Sequence, residues 1–386
     1  MEDRNGSTPT VGADIATVFV AIELSMKSWL VAVQSPRQQR PGRHTLAPAD
    51  AVGLWRIIER ERATLLARGY RAVRVVSCYE AGRDGFWLHR FLTEREVESR
   101  VVDPGSVLVN RRARRAKSDR LDVEKLLRLL IHYEAGDRHL GRMVVVPSVA
   151  EEDARRPGRE RGRLMSERNG HANRIQGLVA THGIYGYQPL RADRWERLAQ
   201  LRCADGQPLP RHLRAEIGRE LERLELVQKQ ILAVEKERGA ALAEAGPTDP
   251  AVAKVAALMQ LKGIGIESAT LLVREVLFRQ FASRRHVASF FGLTTSKYLS
   301  GGIDRDQGIS KAGNRRARGA AMELAWLWLW HQPDSALSRW FRARLASPSP
   351  RLKRVLIVAL ARKLMVALWR YVTTGLVPEG ARLKSA

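Results

Sequence analysis

The spacing of apolar positions divides the chain into two differently built parts. Up to about residue 150, strand-length apolar runs alternate with helical spacing. Residues 17–24 (TVFVAIEL) form an apolar, β-branched run with Glu23 intruding near its end, and 28–34 (SWLVAVQ) predict a second strand after a tight connection. A third strand is expected near His44–Leu46. Leu54, Ile57, Ile58 and Leu65 are spaced for a helix over 49–67. Residues 72–78 (AVRVVSC) predict a strand, a helix begins over 86–92, and 97–102 predict another strand closed by Asp103-Pro104-Gly105. A further helix runs to about Tyr133. The order of three strands, helix, strand, helix, strand, helix predicts an α/β domain with a mixed sheet over residues 15–149, after a disordered stretch at 1–14.

Beyond that point the period is helical. Residues 151–183 are polar and strongly basic, with Pro157 and Gly158 expected to interrupt them. Over 213–242, Ile217, Leu221, Leu224, Ile231 and Val234 step by threes, fours and a seven, which fits a coiled-coil seam or a long antiparallel hairpin. Residues 150–250 therefore read as a basic helical, coiled-coil linker, with a loop-rich connector at 185–210. Residues 251–375 read as a mostly helical domain. It contains the turn Gly263-Ile264-Gly265, a Gly/Ser-rich loop at 296–311, and a basic amphipathic helix over 351–371. Trp326, Trp328 and Trp330 sit in an apolar helix (AMELAWLWLW), so core packing is favoured over base stacking. Residues 376–386 are expected to trail as a disordered tail.

Charge changes this picture most. The 386 residues hold 66 Lys plus Arg against 41 Asp plus Glu, a formal charge of +25. An imbalance of that size points to a polyanion, nucleic acid above all, although an arginine-rich composition alone accounts for part of it. The two cysteines, Cys78 and Cys203, and the nine histidines lack zinc-site or disulfide spacing. No signal-peptide pattern opens the chain and no apolar run is long enough to span a membrane, so a cytoplasmic protein without a membrane partner is expected.

Within this basic chain a few acids stand out. Glu23 and Glu80 each end an apolar strand, where burying an unpaired carboxylate is costly. Asp119 and Asp122, three residues apart after the run Arg111, Arg112, Arg114 and Arg115, would share one helix face. Four carboxylates at strand ends would suit a hard divalent cation such as Mg²⁺ and phosphodiester chemistry. Taken singly, each acid reads more simply as a surface or ion-paired residue. Asp14, Asp84 and Asp103 compete with them. Ser300 precedes Gly301-Gly302 in a basic loop; its hydroxyl could approach a phosphate, or the loop could simply contact a nucleic-acid backbone.

Together these segments resemble the insertion-sequence 110 family of transposases, which includes the Piv-like DNA invertases, over nearly the whole chain. The carrying motifs are Glu23-Leu24-Ser25-Met26-Lys27, Tyr79-Glu80-Ala81-Gly82 with Gly85, Lys117 to Val123 (KSDRLDV), Leu261 to Gly265 (LKGIG), and Ser296 to Asn314, which ends ISKAGN. The resemblance implies an N-terminal RuvC-like domain of the RNase H fold, a coiled coil, and a C-terminal transposase domain. It assigns an acidic tetrad to Glu23, Glu80, Asp119 and Asp122, binding Mg²⁺ or Mn²⁺, and a serine nucleophile to Ser300, with Ser296 as the alternative. It implies a nucleoid-associated prokaryotic recombinase acting on element ends and target DNA, a structured bridge RNA as guide, and a homo-oligomer, dimer or tetramer. Lys117, Lys297, Lys311, Asn314 and Arg315, with the four arginines at 111–115, are the expected nucleic-acid contacts.

The chain departs from the family pattern in having Glu23 for an aspartate, which lengthens that side chain by about 1.5 Å. Leu299 replaces a serine, and Pro157, Gly158 and Gly162 lie in the basic helix. Two other readings are a hydrolytic RuvC-like nuclease or junction resolvase, which needs the acids alone, and a decayed transposase that only binds nucleic acid.

Overall fold

The computed structural model describes residues 15–36, 38–106, 119–300, 303–345 and 349–384, with the backbone alone at 119–120, 296–300 and 303–307. The chain forms two compact units, the first ending at Val146 and the second beginning at Pro147.

The first unit follows the predicted order of elements: β1 (Ile15–Glu23), β2 (Trp29–Gln34), β3 (Gly42–Leu46), α1 (Ala51–Ala67), β4 (Ala72–Glu80), α2 (Trp87–Thr93), β5 (Glu98–Val102) and α3 (Asp119–Glu134). The five strands lie in the order β3-β2-β1-β4-β5. β1, β4 and β5 are parallel, and β2 is antiparallel to both its neighbours. Alternation along each strand supplies two apolar faces. Val18, Val20, Ile22, Val75 and Tyr79 pack with Leu54 and Ile58 of α1 and Leu88 of α2. Ala21, Ala32, Val76, Cys78 and Val102 pack with Val123, Leu126, Leu127 and Leu130 of α3.

The direction of α3 is fixed by its far end. Glu134, in its last turn, accepts hydrogen bonds from Arg74 at 2.7 Å and Arg100 at 3.2 Å. Arg74 lies near the start of β4 and Arg100 in β5. The helix therefore runs opposite to the parallel strands, and its first turn lies toward their carboxyl ends.

The second unit holds α4 (Val149–Asp153), α5 (Arg156–Ala180), α6 (Arg194–Gln200), α7 (Arg211–Ala245), α8 (Pro250–Gln260), α9 (Ile266–Leu272), a π-turn (Val273–Leu277), α10 (Arg284–Phe290), the strands β6 (Thr295–Ser300) and β7 (Ile303–Ile309), α11 (Arg315–His331), α12 (Ala336–Arg344) and α13 (Pro350–Thr374). α5 and α7 pack antiparallel. Leu164, early in α5, meets Val227, Ile231 and Val234, whereas Ile175 and Val179 meet Ile217, Leu221 and Leu224. Leu198 of α6 joins the α5–α7 cluster, and helices α8 to α13 share a core that includes Leu258, Val276, Phe291, Leu324, Leu360 and Leu364.

Four expectations change. Pro157 does not break its helix: it falls in the first turn of α5, where a missing N–H costs nothing, and the interruption lies ahead of it, between Asp153 and Arg156. The serine segment is a β-hairpin rather than a loop, with Ser300 paired to Ile303. The tryptophans separate, because alternate residues on a helix point about 200° apart. Trp328 is buried and donates to Ser335 Oγ at 2.9 Å, Trp326 is half-exposed, and Trp330 is 81% exposed. Residues 376–384 do not trail: Arg382 O accepts from Lys262 N at 3.1 Å, and Lys384 N donates to Gln260 O at 2.7 Å.

Candidate active site

Strand register brings the first two acids together. β1 and β4 pair from Ile15↔Ala72 to Ile22↔Tyr79, so the next positions in register are Glu23 and Glu80. Both occupy the parity of Ala21 and Cys78, the face that α3 covers. Glu23 is half-buried and Glu80 is exposed.

The second pair follows from the helix. Cys78 Sγ contacts Leu126 O at 3.5 Å, which sets the height of α3 against β4. Glu80 lies two residues further along the strand, about 6.6 Å. Asp122 lies four residues back along the helix, about 6 Å in the same direction, and position 119 about 10.5 Å. Position 119 also continues the stripe of Val123 and Leu126 that packs on the sheet. The strand ends and the first turn of α3 thus share one edge and one face. Asp122 is half-buried and pairs with Lys125 at 2.9 Å. The donor set is wholly carboxylate oxygen, which suits a hard divalent cation. Among the described residues no group of three or more His, Cys, Asp or Glu side chains is arranged to hold a metal ion; the Asp119 side chain lies outside them.

Of the competing acids, one is accounted for by its turn. Asp103 accepts from Gly105 N at 3.0 Å and serves its turn. Asp14 lies outside the described residues, as do Arg111, Arg112, Arg114, Arg115 and Lys117. Around Glu80 the backbone is held firmly: Ala81 N donates to Val102 O at 2.8 Å, and buried Tyr79 donates its hydroxyl to Gly85 O at 3.2 Å.

In the second unit, Ser300 ends β6 and Ser296 and Lys297 lie within it; Gly301 and Gly302 lie outside the described residues. The base of the hairpin is locked to the α10–β6 turn. Ser310 N donates to Thr294 O at 2.8 Å, Lys311 N to Gly292 O at 3.2 Å and Asn314 N to Phe290 O at 3.0 Å. Gly313 has φ 110°, and a Cβ there would lie 2.3 Å from Phe290 O, so only glycine fits. Asn314 is spent on structure rather than left for nucleic acid: its Oδ1 caps α11 by accepting from Ala317 N at 3.1 Å, and its Nδ2 donates to Glu275 at 3.3 Å. Lys311 and Arg315 remain exposed.

Glu275 was not anticipated. It lies in the π-turn, 5% exposed, and takes a bidentate pair from Arg159 at 2.8 and 3.0 Å, with Arg316 at 3.8 Å. Burial raises its carboxyl pKa, but the hydrogen bonds and charge of Arg159, helped by Asn314, outweigh that and hold it below the usual carboxylate value. The available sequence signal was a lone acid within an apolar run at 269–278. Through Glu275 and Asn314, α5 is joined to the helix that follows the serine hairpin.

Residues 255–342 match the family described as Transposase IS116/IS110/IS902. The chain is 46% identical over 390 residues to y4rJ of Sinorhizobium fredii (strain NBRC 101917 / NGR234), a protein named as a transposase, covering 99% of this chain and 98% of that one. It is 27% identical over 317 residues to y4qE of the same strain, also named as a transposase, covering 81% and 72%. A family 20 transposase of Pseudomonas aeruginosa is 28% identical over 240 residues, covering 61% and 68%.

Proposed function

The chain belongs to the IS116/IS110/IS902 family of transposases, and we propose that it cuts and rejoins DNA through a serine-linked intermediate. Glu23, Glu80, Asp119 and Asp122 would hold Mg²⁺ or Mn²⁺, and Ser300 would be the nucleophile. The observation that carries this reading is the common edge of Glu23, Glu80 and the first turn of α3. The strand order with β2 reversed supports an RNase H-like, RuvC-type reading of the first unit.

In this reaction the Ser300 hydroxyl oxygen bonds to phosphorus and a bridging oxygen leaves as a DNA hydroxyl, taking up a proton. Attack by the hydroxyl of a second DNA end reverses the step and restores the serine, so the bond count is conserved and no ATP is consumed. A divalent cation, when bound, neutralises charge on the phosphate oxygens. The carboxylates hold and orient that cation, and the basic surface holds the DNA backbone. A structured bridge RNA supplies sequence choice by base pairing, and copies of the chain assemble through the α5–α7 helical pair.

The test is covalent trapping: protein, flanking RNA and matching DNA are incubated with Mg²⁺, denatured and scored for protein-linked DNA. Wild type should give an adduct that Ser300→Ala and Asp119→Ala both abolish. Cleavage without an adduct, unaffected by Ser300→Ala, would replace this reading with a hydrolytic nuclease. Binding without cleavage in the presence of the correct ends would favour a decayed relative.

A further inference from the structure

Helix α13 presents two stripes. Leu356, Leu360, Leu364 and Leu368 are buried in the core of the second unit. The other stripe lines a cleft of about 960 Å³, bounded also by the start of α10 and by the base of the serine hairpin at Thr295, Gly308 and Ile309. Arg284, Arg285, Arg351, Arg354, Arg362 and Arg370 line it, and among the described residues no carboxylate does. Among the described residues these six guanidinium groups have no hydrogen-bond or ion-pair partner. Other arginines of the same unit do face carboxylates, as Arg159 faces Glu275, Arg174 faces Glu220 and Arg238 faces Glu267. Six guanidinium groups and the Lys363 ammonium around one cleft make it a local concentration of positive charge. Its floor is aliphatic, through Leu293, Ile309, Val355, Val358 and Val366, with Val355 59% exposed.

An occupant must bring repeated negative charge and apolar faces together. A duplex presents chiefly phosphates and groove edges, whereas an unpaired strand carries one phosphate per nucleotide and turns base and sugar faces to its support. Thr295 is the one hydroxyl among the described lining residues, so those residues offer little to the 2′-hydroxyl by which RNA is recognised. An acidic protein helix would need carboxylates along an edge matching the row from Arg351 to Arg370, about 28 Å of helix.

We propose that this cleft holds a single strand of DNA leading toward the serine hairpin. Its direction, though not the binding itself, rests on the reading of Ser300 as the DNA-cutting residue. β6 runs about 17 Å from Thr295 to Ser300, which places the cleft about five nucleotides from the cut at 3.4 Å per stacked nucleotide.

The test uses the full chain and fluorescent single-stranded DNA, duplex DNA and single-stranded RNA of one sequence, titrated between 50 and 200 mM salt. Relative to wild type, Arg354→Ala/Arg362→Ala should bind single-stranded DNA at least tenfold more weakly. Its salt slope should fall by about 1.4, two phosphate contacts at about 0.7 each, with an unchanged melting temperature. An unchanged slope overturns the proposal, and an equal or larger loss for RNA or duplex overturns the choice of strand. Val355→Cys bearing a photo-crosslinker should label single-stranded DNA; labelling of a second protein chain instead overturns it. Ser300→Ala separates the two readings: it should abolish the covalent adduct and leave the salt slope as in wild type. If the adduct never forms, the slope still decides the cleft.

Discussion

Glu275 and the pair Glu23–Glu80 are acids of opposite kinds. Glu275 is buried and held by Arg159, Arg316 and Asn314, whereas Glu23 and Glu80 stand at the carboxyl ends of β1 and β4, the first half-buried and the second exposed. Replacing Glu275 leaves the partly exposed guanidinium groups of Arg159 and Arg316 without their anion, so Glu275→Gln should cost about 1–2 kcal/mol of stability at neutral pH, the loss being tempered by solvent around the arginines and measured by urea unfolding. Because the folded carboxyl titrates below its unfolded value of about 4.3, its contribution is complete above that pH and is lost as pH falls through the lowered value. Wild type should therefore lose stability on acidification toward pH 3, and Glu275→Gln should lose less over the same interval. Both kinds of acid carry one sequence signal, a carboxylate ending or interrupting an apolar run. The signal marks an unusual acid without saying what balances it, since Arg159, the partner of Glu275, lies more than a hundred residues away.

At the scale of elements, the serine hairpin owes its position to α10 and α11. The run Lys311-Ala312-Gly313-Asn314 reads as a nucleic-acid motif in sequence, yet two of its four residues do backbone work. Gly313→Ala should destabilise the second unit by about 2–3 kcal/mol, since the new Cβ meets a carbonyl that cannot move and the left-handed φ disfavours any side chain. Asn314→Ala, losing a cap, should cost about 1 kcal/mol. Thermal unfolding of the two variants checks the order; equal effects would mean that the Phe290 carbonyl yields. α13 shows the complementary case. Its periodicity predicted an amphipathic basic helix, and the buried leucines accord with that. The cleft along its other stripe depends on α10 and the hairpin base, whose residues precede it by more than forty positions and leave no local mark.

For the whole molecule, +25 formal charges are spread over two units with separate cores. Residues 147–386 expressed alone should unfold cooperatively, because the core around Leu324, Leu360 and Leu364 is complete within that unit. They should also keep the salt-sensitive DNA binding of the cleft while giving no covalent adduct. A fragment that melts without a transition would show that the first unit is needed for its fold.

The sequence by itself determined the order of the first eight elements, the two apolar faces of the sheet, and the strand ends at Glu23 and Glu80. These depend on period and on local propensity, which act within a few residues. It also carried the family motifs in their order. Tertiary structure alone decided that Glu23 and Glu80 fall in register, that α3 runs back along β4 so that Asp122 stands level with Glu80, and that the glycine-rich serine segment pairs as a hairpin. It alone separated arginines answered by carboxylates from the six around the cleft. Those outcomes depend on which distant groups desolvate one another, and a charge count along the chain holds no record of distance in space.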